Sequence, residues 1–120
     1  MKKFDLGFKY GMTYVDGGCD DANIDFGDSA VENDFFEFLI TLAEQKEIKI
    51  LKDYEETAKE ALIEQYDIED ITENIIIAKT YIIDMIDNKQ WSDYEEGAKK
   101  ALEENNYKPK SDYYYELKNS

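Results

Sequence analysis

Neither arginine nor histidine occurs in this chain, and its fourteen bases are all lysines. Arginine is the usual bidentate clamp for phosphate, and histidine is the usual proton shuttle near neutral pH. The 29 acidic residues bring the net charge to -15, so a phosphate backbone would be repelled. The composition therefore disfavours direct binding of nucleic acid and favours a basic protein as the partner.

Cysteine and long apolar runs are scarce as well. The lone Cys19 excludes an internal disulfide and fits a reducing compartment, so we expect the cytoplasm of the producing or infected bacterial cell. The start MKKFDLGFKYGM has lysines like a secretory signal, but Asp5 and Lys9 interrupt its apolar region. The most apolar stretch contains Lys79 and Asp84, which predicts no membrane span and no membrane partner.

The length of 120 residues predicts a single domain, and its first part alternates like a strand. The alternating apolar residues are Phe4, Leu6, Phe8, Tyr10, Met12 and Tyr14. After the turn-rich DGGCDD, alternation resumes from Ala22 to Phe26. We predict an α+β fold in which an antiparallel β-hairpin spans residues 1–28. The tail, residues 107–120, either adds a strand to this hairpin or lies on the helices.

Helical spacing of apolar residues predicts about four helices after the hairpin. The first begins after a capping box of Ser29 and Glu32 and ends near Lys46. The second begins near Asp53. The third covers residues 71–87, where isoleucines on more than one face predict a central helix, and the fourth covers residues 92–106.

Two of these helices have nearly the same sequence. Residues 53–64 read DYEETAKEALIE and residues 93–104 read DYEEGAKKALEE, which are identical at nine of twelve positions. Each copy follows another amphipathic segment. We therefore predict two helical hairpins with a forty-residue period, residues 30–66 and 70–106, packed on the β-hairpin.

One segment resembles a calcium-binding loop. In DANIDFGDSAVE, Asp21, Asn23, Asp25 and Glu32 occupy the first, third, fifth and twelfth positions of such a loop. The sixth position, which needs glycine for its sharp turn, holds Phe26 instead. The preferred interpretation is a solvated turn leading to a helix, and these four residues are only a weak metal candidate.

No residues suggest catalysis. Carboxylates are so numerous that a pair on one face carries no information, and Cys19 has no histidine to act as its base. No glycine-rich phosphate loop joins a strand to a helix. We predict a protein that is not an enzyme and has no cofactor.

The arrangement of acidic residues is the strongest functional signal. No base occurs between Lys9 and Lys46 or between Lys59 and Lys79. In the first copy of the repeat, Glu56, Glu60 and Glu64 form one row at i, i+4 spacing, whereas the second copy has Glu96, Lys100 and Glu104. Ile63 projects near this row, as contact surface or as core. The predicted partner-binding residues are Glu56, Glu60, Ile63, Glu64, Asp67, Asp20, Asp21, Asp25, Asp28, Tyr113, Tyr114 and Tyr115.

Carboxylates about 5 to 6 Å apart on a helix approximate the charge spacing along a nucleic-acid strand. We therefore expect an inhibitor that occupies the basic channel of a nucleic-acid-processing enzyme by mimicry. Small acidic anti-CRISPR and antirestriction proteins of phages and mobile elements are similar in class, without a shared motif. An immunity protein that neutralises a basic nuclease toxin is the first alternative, because SDYYYEL resembles the neighbouring contact tyrosines of colicin-type immunity proteins. A structural or regulatory adaptor is the second.

Overall fold

The computed structural model describes residues 2–18, 24–87 and 91–106, and these ranges contain five α-helices and no strand. The helices are α1 (Lys3–Asp16), α2 (Ser29–Glu44), α3 (Glu55–Gln65), α4 (Glu73–Asp87) and α5 (Trp91–Glu104). Short 3-10 helices occupy Lys52–Tyr54 and Ile68–Asp70, on either side of α3. The α+β prediction is therefore wrong, while helices are present in the four regions where helical spacing predicted them. The tail, predicted either to add a strand to the hairpin or to lie on the helices, is outside the described residues.

The first arm of the predicted β-hairpin is helix α1, and the described part of the second arm, residues 24–28, is irregular structure with a turn. Alternation places Leu6 and Tyr10 four residues apart, and residues four apart also share one face of a helix. Both are buried, whereas Phe4, which shares their alternation, is 41% exposed. Ile24 and Phe26 are buried in irregular structure before α2. The alternating pattern of residues 4–14 is thus compatible with a helix as well as a strand, and this segment is helical.

Backbone contacts divide the chain into two compact units. The first consists of Met1–Phe26 and Ser92–Ser120, and the second consists of Gly27–Trp91. This division does not follow the boundaries of the two predicted hairpins, because α4 falls in one unit with α2 and α3, while α5 packs on α1 in the other. The prediction of a single domain stays a prediction.

In the first unit, glycines permit α1 and α5 to approach closely. A Cβ atom on Gly7 would overlap the carbonyl oxygen of Tyr94, and one on Gly97 would overlap the carbonyl oxygen of Phe4. Gly7 thus lies on the face of α1 that packs on α5. Ala98 and Ala101 are fully buried on the facing side of α5.

In the second unit, α2 and α3 both pack on α4, which explains the many isoleucines of α4. Leu39 and Leu42 of α2 are buried, and α3 contributes Ala58 and Leu62, both 0% exposed. Ile82 of α4 is 1% exposed. The central helix predicted from its apolar residues is therefore central within this unit.

The ends of α2 differ by one or two residues from the prediction. Asp28 is the N-cap, and its side chain accepts a hydrogen bond from the backbone N–H of Ala30 at 2.8 Å. At the other end Lys46 has a positive φ of 60°. The backbone N–H groups of Lys46 and Glu47 donate to the carbonyl oxygens of Ala43 and Leu42, which is a Schellman motif.

Candidate protein-binding surface

Helix α3 separates its apolar and acidic residues onto opposite sides. It begins after the 3-10 helix Lys52–Tyr54, and its buried positions Ala58 and Leu62 are one turn apart on the side that packs on α4. The predicted row, Glu56, Glu60 and Glu64, lies on the other side, and all three residues are exposed. The packing of α3 thus presents the carboxylates to solvent.

Among the described residues, lysine forms ion pairs on α3 in its first turn alone. The Lys59 ammonium lies 3.2 Å from a carboxylate oxygen of Glu55 and 3.7 Å from one of Glu56, and Lys52 lies 3.5 Å from Glu55. The hydrogen bond from Lys59 holds the pKa of the Glu55 carboxyl below its ordinary value, and the same bond raises the pKa of Lys59. Glu55 is therefore compensated, and Glu56 shares the same lysine.

Negative charge accumulates toward the C-terminal end of α3. Within the described ranges no lysine lies within ion-pair distance of Glu60 or Glu64. The nearby Lys79 donates instead to the side-chain carbonyl oxygen of Gln65 at 3.4 Å, and its ammonium lies 5.9 Å from the centre of the Phe36 ring. Asp67 follows the helix and is exposed. Acids at a helix C-terminus oppose the helix dipole, so this charge does not stabilise α3.

Three large apolar side chains are exposed among these carboxylates. Ile63 is 56% exposed, Tyr66 is 40% exposed and Ile68 is 73% exposed. The sequence left Ile63 open between core and contact surface, and the structure places it on the surface. Tyr66 and Ile68 were missed, because they follow the end of α3, where helical spacing no longer predicts which side chains are buried.

The other predicted contact residues belong to other parts of the chain. Asp28 is exposed but serves as the N-cap of α2. Asp25 is exposed and belongs to the other unit, as the division falls between Phe26 and Gly27. The remaining predicted contact residues, which are Asp20, Asp21, Tyr113, Tyr114 and Tyr115, lie outside the described residues, as does the metal candidate Asn23.

The second copy of the repeat keeps the packing positions and loses the acidic row. Ala98 and Leu102 of α5 are buried, as are Ala58 and Leu62 of α3. The Glu95 carboxylate lies 2.7 Å from the Lys99 ammonium, in the same relation as Glu55 and Lys59. Lys100 is exposed where α3 has Glu60. The two helices thus share their apolar side and differ in what they present to solvent.

Within ranges 2–18, 24–87 and 91–106, no three acidic or cysteine side chains cluster closely enough to hold a metal ion. No described helix is both long and apolar enough to cross a membrane. Comparisons with protein-family models, curated proteins and solved structures gave no match to this chain. The chemistry of the α3 surface therefore has to indicate function by itself.

Proposed function

We propose that this protein binds a basic protein surface through the acidic side of α3 and thereby competes with nucleic acid for that surface. Glu60 and Glu64 act as substitutes for phosphates in a groove that contains lysine and arginine. The partner is a nucleic-acid-processing enzyme, and the protein inhibits it without catalysis. Electrostatic attraction between the two proteins makes association fast at low salt.

A single observation carries this proposal. Glu60 and Glu64 are exposed, have no lysine partner among the residues described, and lie next to further exposed acids beyond the helix end. Repulsion between like charges at i, i+4 costs a helix a few tenths of a kcal/mol, or about 0.2 to 0.5 per pair. Residues that break a local rule without a local gain often have a role in function.

The immunity protein is a second candidate for the same surface. The exposed Tyr66 among acids is compatible with either candidate, since tyrosine is enriched where one protein contacts another. This candidate differs from the first only in the identity of the target, which would be a basic nuclease toxin made by the same cell.

The experiment is capture followed by competition. The full chain is immobilised, proteins from a bacterial lysate are bound at low salt, and each captured protein is identified and purified. We expect a nucleic-acid-binding enzyme whose complex with a labelled oligonucleotide is displaced by the free chain. A captured enzyme that binds the chain and the oligonucleotide at the same time would contradict competition, and a nuclease toxin would identify the immunity protein.

A further inference from the structure

We propose that Ile63, Tyr66 and Ile68 form the apolar centre of a docking surface for a basic amphipathic helix of the partner. This inference rests on the proposed function in one respect, the use of the α3 face, and adds the kind of partner segment that it receives. These three residues are called the apolar centre below.

The apolar centre is a surface feature and not an incompletely packed core. Among the described residues, Ile68 is the most exposed large hydrophobic side chain at 73%, and Ile63 follows at 56%. Ile63 lies in the last turn of α3, Tyr66 directly follows the helix and Ile68 begins the next 3-10 helix, so the three side chains are close together along the chain. An apolar contact core with a polar rim is the usual anatomy of a protein interface.

Charge specifies the chemistry of the occupant. The apolar centre is interspersed with Glu60, Glu64 and Asp67, so an acidic or neutral apolar segment would leave these carboxylates buried without compensation. A segment with one apolar stripe bordered by lysine or arginine satisfies both parts of the surface. Charge complementarity therefore selects a basic partner segment.

The fold selects a helix as the form of that segment. The described ranges of the chain contain no strand, so they offer an extended peptide no sheet edge to join. A helix presents its anchors at i, i+3, i+4 and i+7 on one side, so it can contact exposed apolar side chains that are close together along the chain, as Ile63, Tyr66 and Ile68 are. The second copy of the repeat has Glu103 in place of Ile63, so α5 lacks the equivalent anchor.

The test uses a peptide and no nucleic acid. The probe is a synthetic helix of leucine and lysine, about 18 residues long, with one leucine stripe, and its control has glutamine for leucine. Binding to the full chain is measured by calorimetry at about 0.15 M salt. We expect the leucine peptide to bind and the glutamine peptide to bind at least about tenfold more weakly.

Variants of the chain locate the contact. The double substitution I63E/I68S, whose first change copies the second repeat, is expected to weaken binding of the leucine peptide by about tenfold or more. Ile86→Ser, at a residue that is 52% exposed in α4, should change affinity by less than about twofold. Circular dichroism checks that both variants remain helical.

Three results would overturn the inference: no binding of the leucine peptide, equal binding of both peptides, or equal effects of I63E/I68S and Ile86→Ser. None of them depends on competition with an oligonucleotide. A captured partner that does not bind nucleic acid would conversely end the proposed function and leave this docking surface in place.

Discussion

Thr80 is a single residue that joins two elements of the second unit. It lies fully buried in α4, and its hydroxyl donates to the carbonyl oxygen of Ile77 at 2.6 Å. The hydroxyl oxygen of Thr80 also accepts a hydrogen bond from the backbone N–H of Leu51 at 3.2 Å. Leu51 directly precedes the 3-10 helix that leads into α3. The Thr80 hydroxyl thus links the segment that precedes α3 to helix α4.

Thr80→Val keeps the volume of this side chain and removes its partner for Leu51. We expect the free energy of unfolding to fall by about 1 to 3 kcal/mol, because a partly buried N–H loses its hydrogen bond. Thr41→Val is the control, since Thr41 is exposed and its hydroxyl donates only within α2, to the carbonyl oxygen of Glu37. Urea denaturation measures both variants, and equal losses would contradict this role for Thr80.

The ionisation of Tyr81 makes the free energy of unfolding depend on pH in the alkaline range. Burial raises the pKa of Tyr81 above its ordinary value of 10.0 and the charge of Asp84 adds to this, while a hydrogen bond with the Lys49 backbone opposes it. Because the folded state holds the proton more tightly than the unfolded state, this contribution is complete below about pH 10 and is lost as pH rises through the folded pKa.

We therefore expect Tyr81→Phe to reduce the fall in unfolding free energy between about pH 9.5 and 11.5. Urea denaturation at several pH values measures the slope. Tyr66→Phe, at a residue that is 40% exposed, is the comparison. A slope that is the same in both variants would show that Tyr81 does not contribute.

At the scale of elements, the close contact of α1 with α5 explains the one packing-side difference between the two repeat copies. The position that is Thr57 in α3 is Gly97 in α5. Thr57 is exposed, whereas Gly97 is buried, and a Cβ there would also come within 2.8 Å of the Phe8 backbone nitrogen. Glycine at position 97 is thus required for the close packing of α5 on α1.

Gly97→Ala tests this requirement, because the close contact and helix propensity predict changes of opposite sign in the free energy of unfolding. Propensity alone predicts a gain of about 1 kcal/mol in unfolding free energy. Overlap with the α1 backbone predicts instead a net loss of about 1 to 3 kcal/mol. Thr57→Ala, the matched change in α3, should give a small gain, and chemical denaturation distinguishes the outcomes. A stabilised Gly97→Ala variant would contradict the close contact.

The elements differ in how far their sequences determine them. Helices α2 to α5 were predictable, because their apolar spacing fits a helix and not a strand. Residues 4–14 fit both, since every second position of a strand includes every fourth position of a helix. The packing of α5 against Gly7 decides between them, and that contact is with residues more than eighty positions away. No local pattern contains this information.

The acidic row of α3 was predictable from local spacing in the sequence, whereas the exposure of the apolar centre was not. The row of Glu56, Glu60 and Glu64 follows from i, i+4 spacing as soon as α3 is a helix. The exposure of Ile63 depends on which side of α3 faces α4. Tyr66 and Ile68 follow the end of the helix, where only tertiary structure determines exposure.

At the scale of the whole molecule, the net negative charge opposes folding. The net charge is -15, and each described α-helix ends without a base in its last turn. Cations near a helix C-terminus would be favourable, so their absence from all these ends removes a common source of stability. Self-repulsion of this kind is screened by salt.

We therefore expect the melting temperature to rise by about 4 °C or more when sodium chloride is raised from about 0.01 M to 0.5 M. Scanning calorimetry measures this rise. The double variant E60K/E64K, which has less net charge, should show a smaller rise. A melting temperature that is constant or falls with salt would contradict net repulsion in the folded state.

The central claim is that the acidic side of α3, and not net charge in general, binds the partner. The most direct measurement is the affinity of the captured partner for E60K/E64K and for E96K/E104K, two variants with the same change in net charge. We predict that the α3 variant loses about tenfold or more in affinity while the α5 variant stays within about twofold. Equal losses would contradict the claim, since binding would then follow total charge.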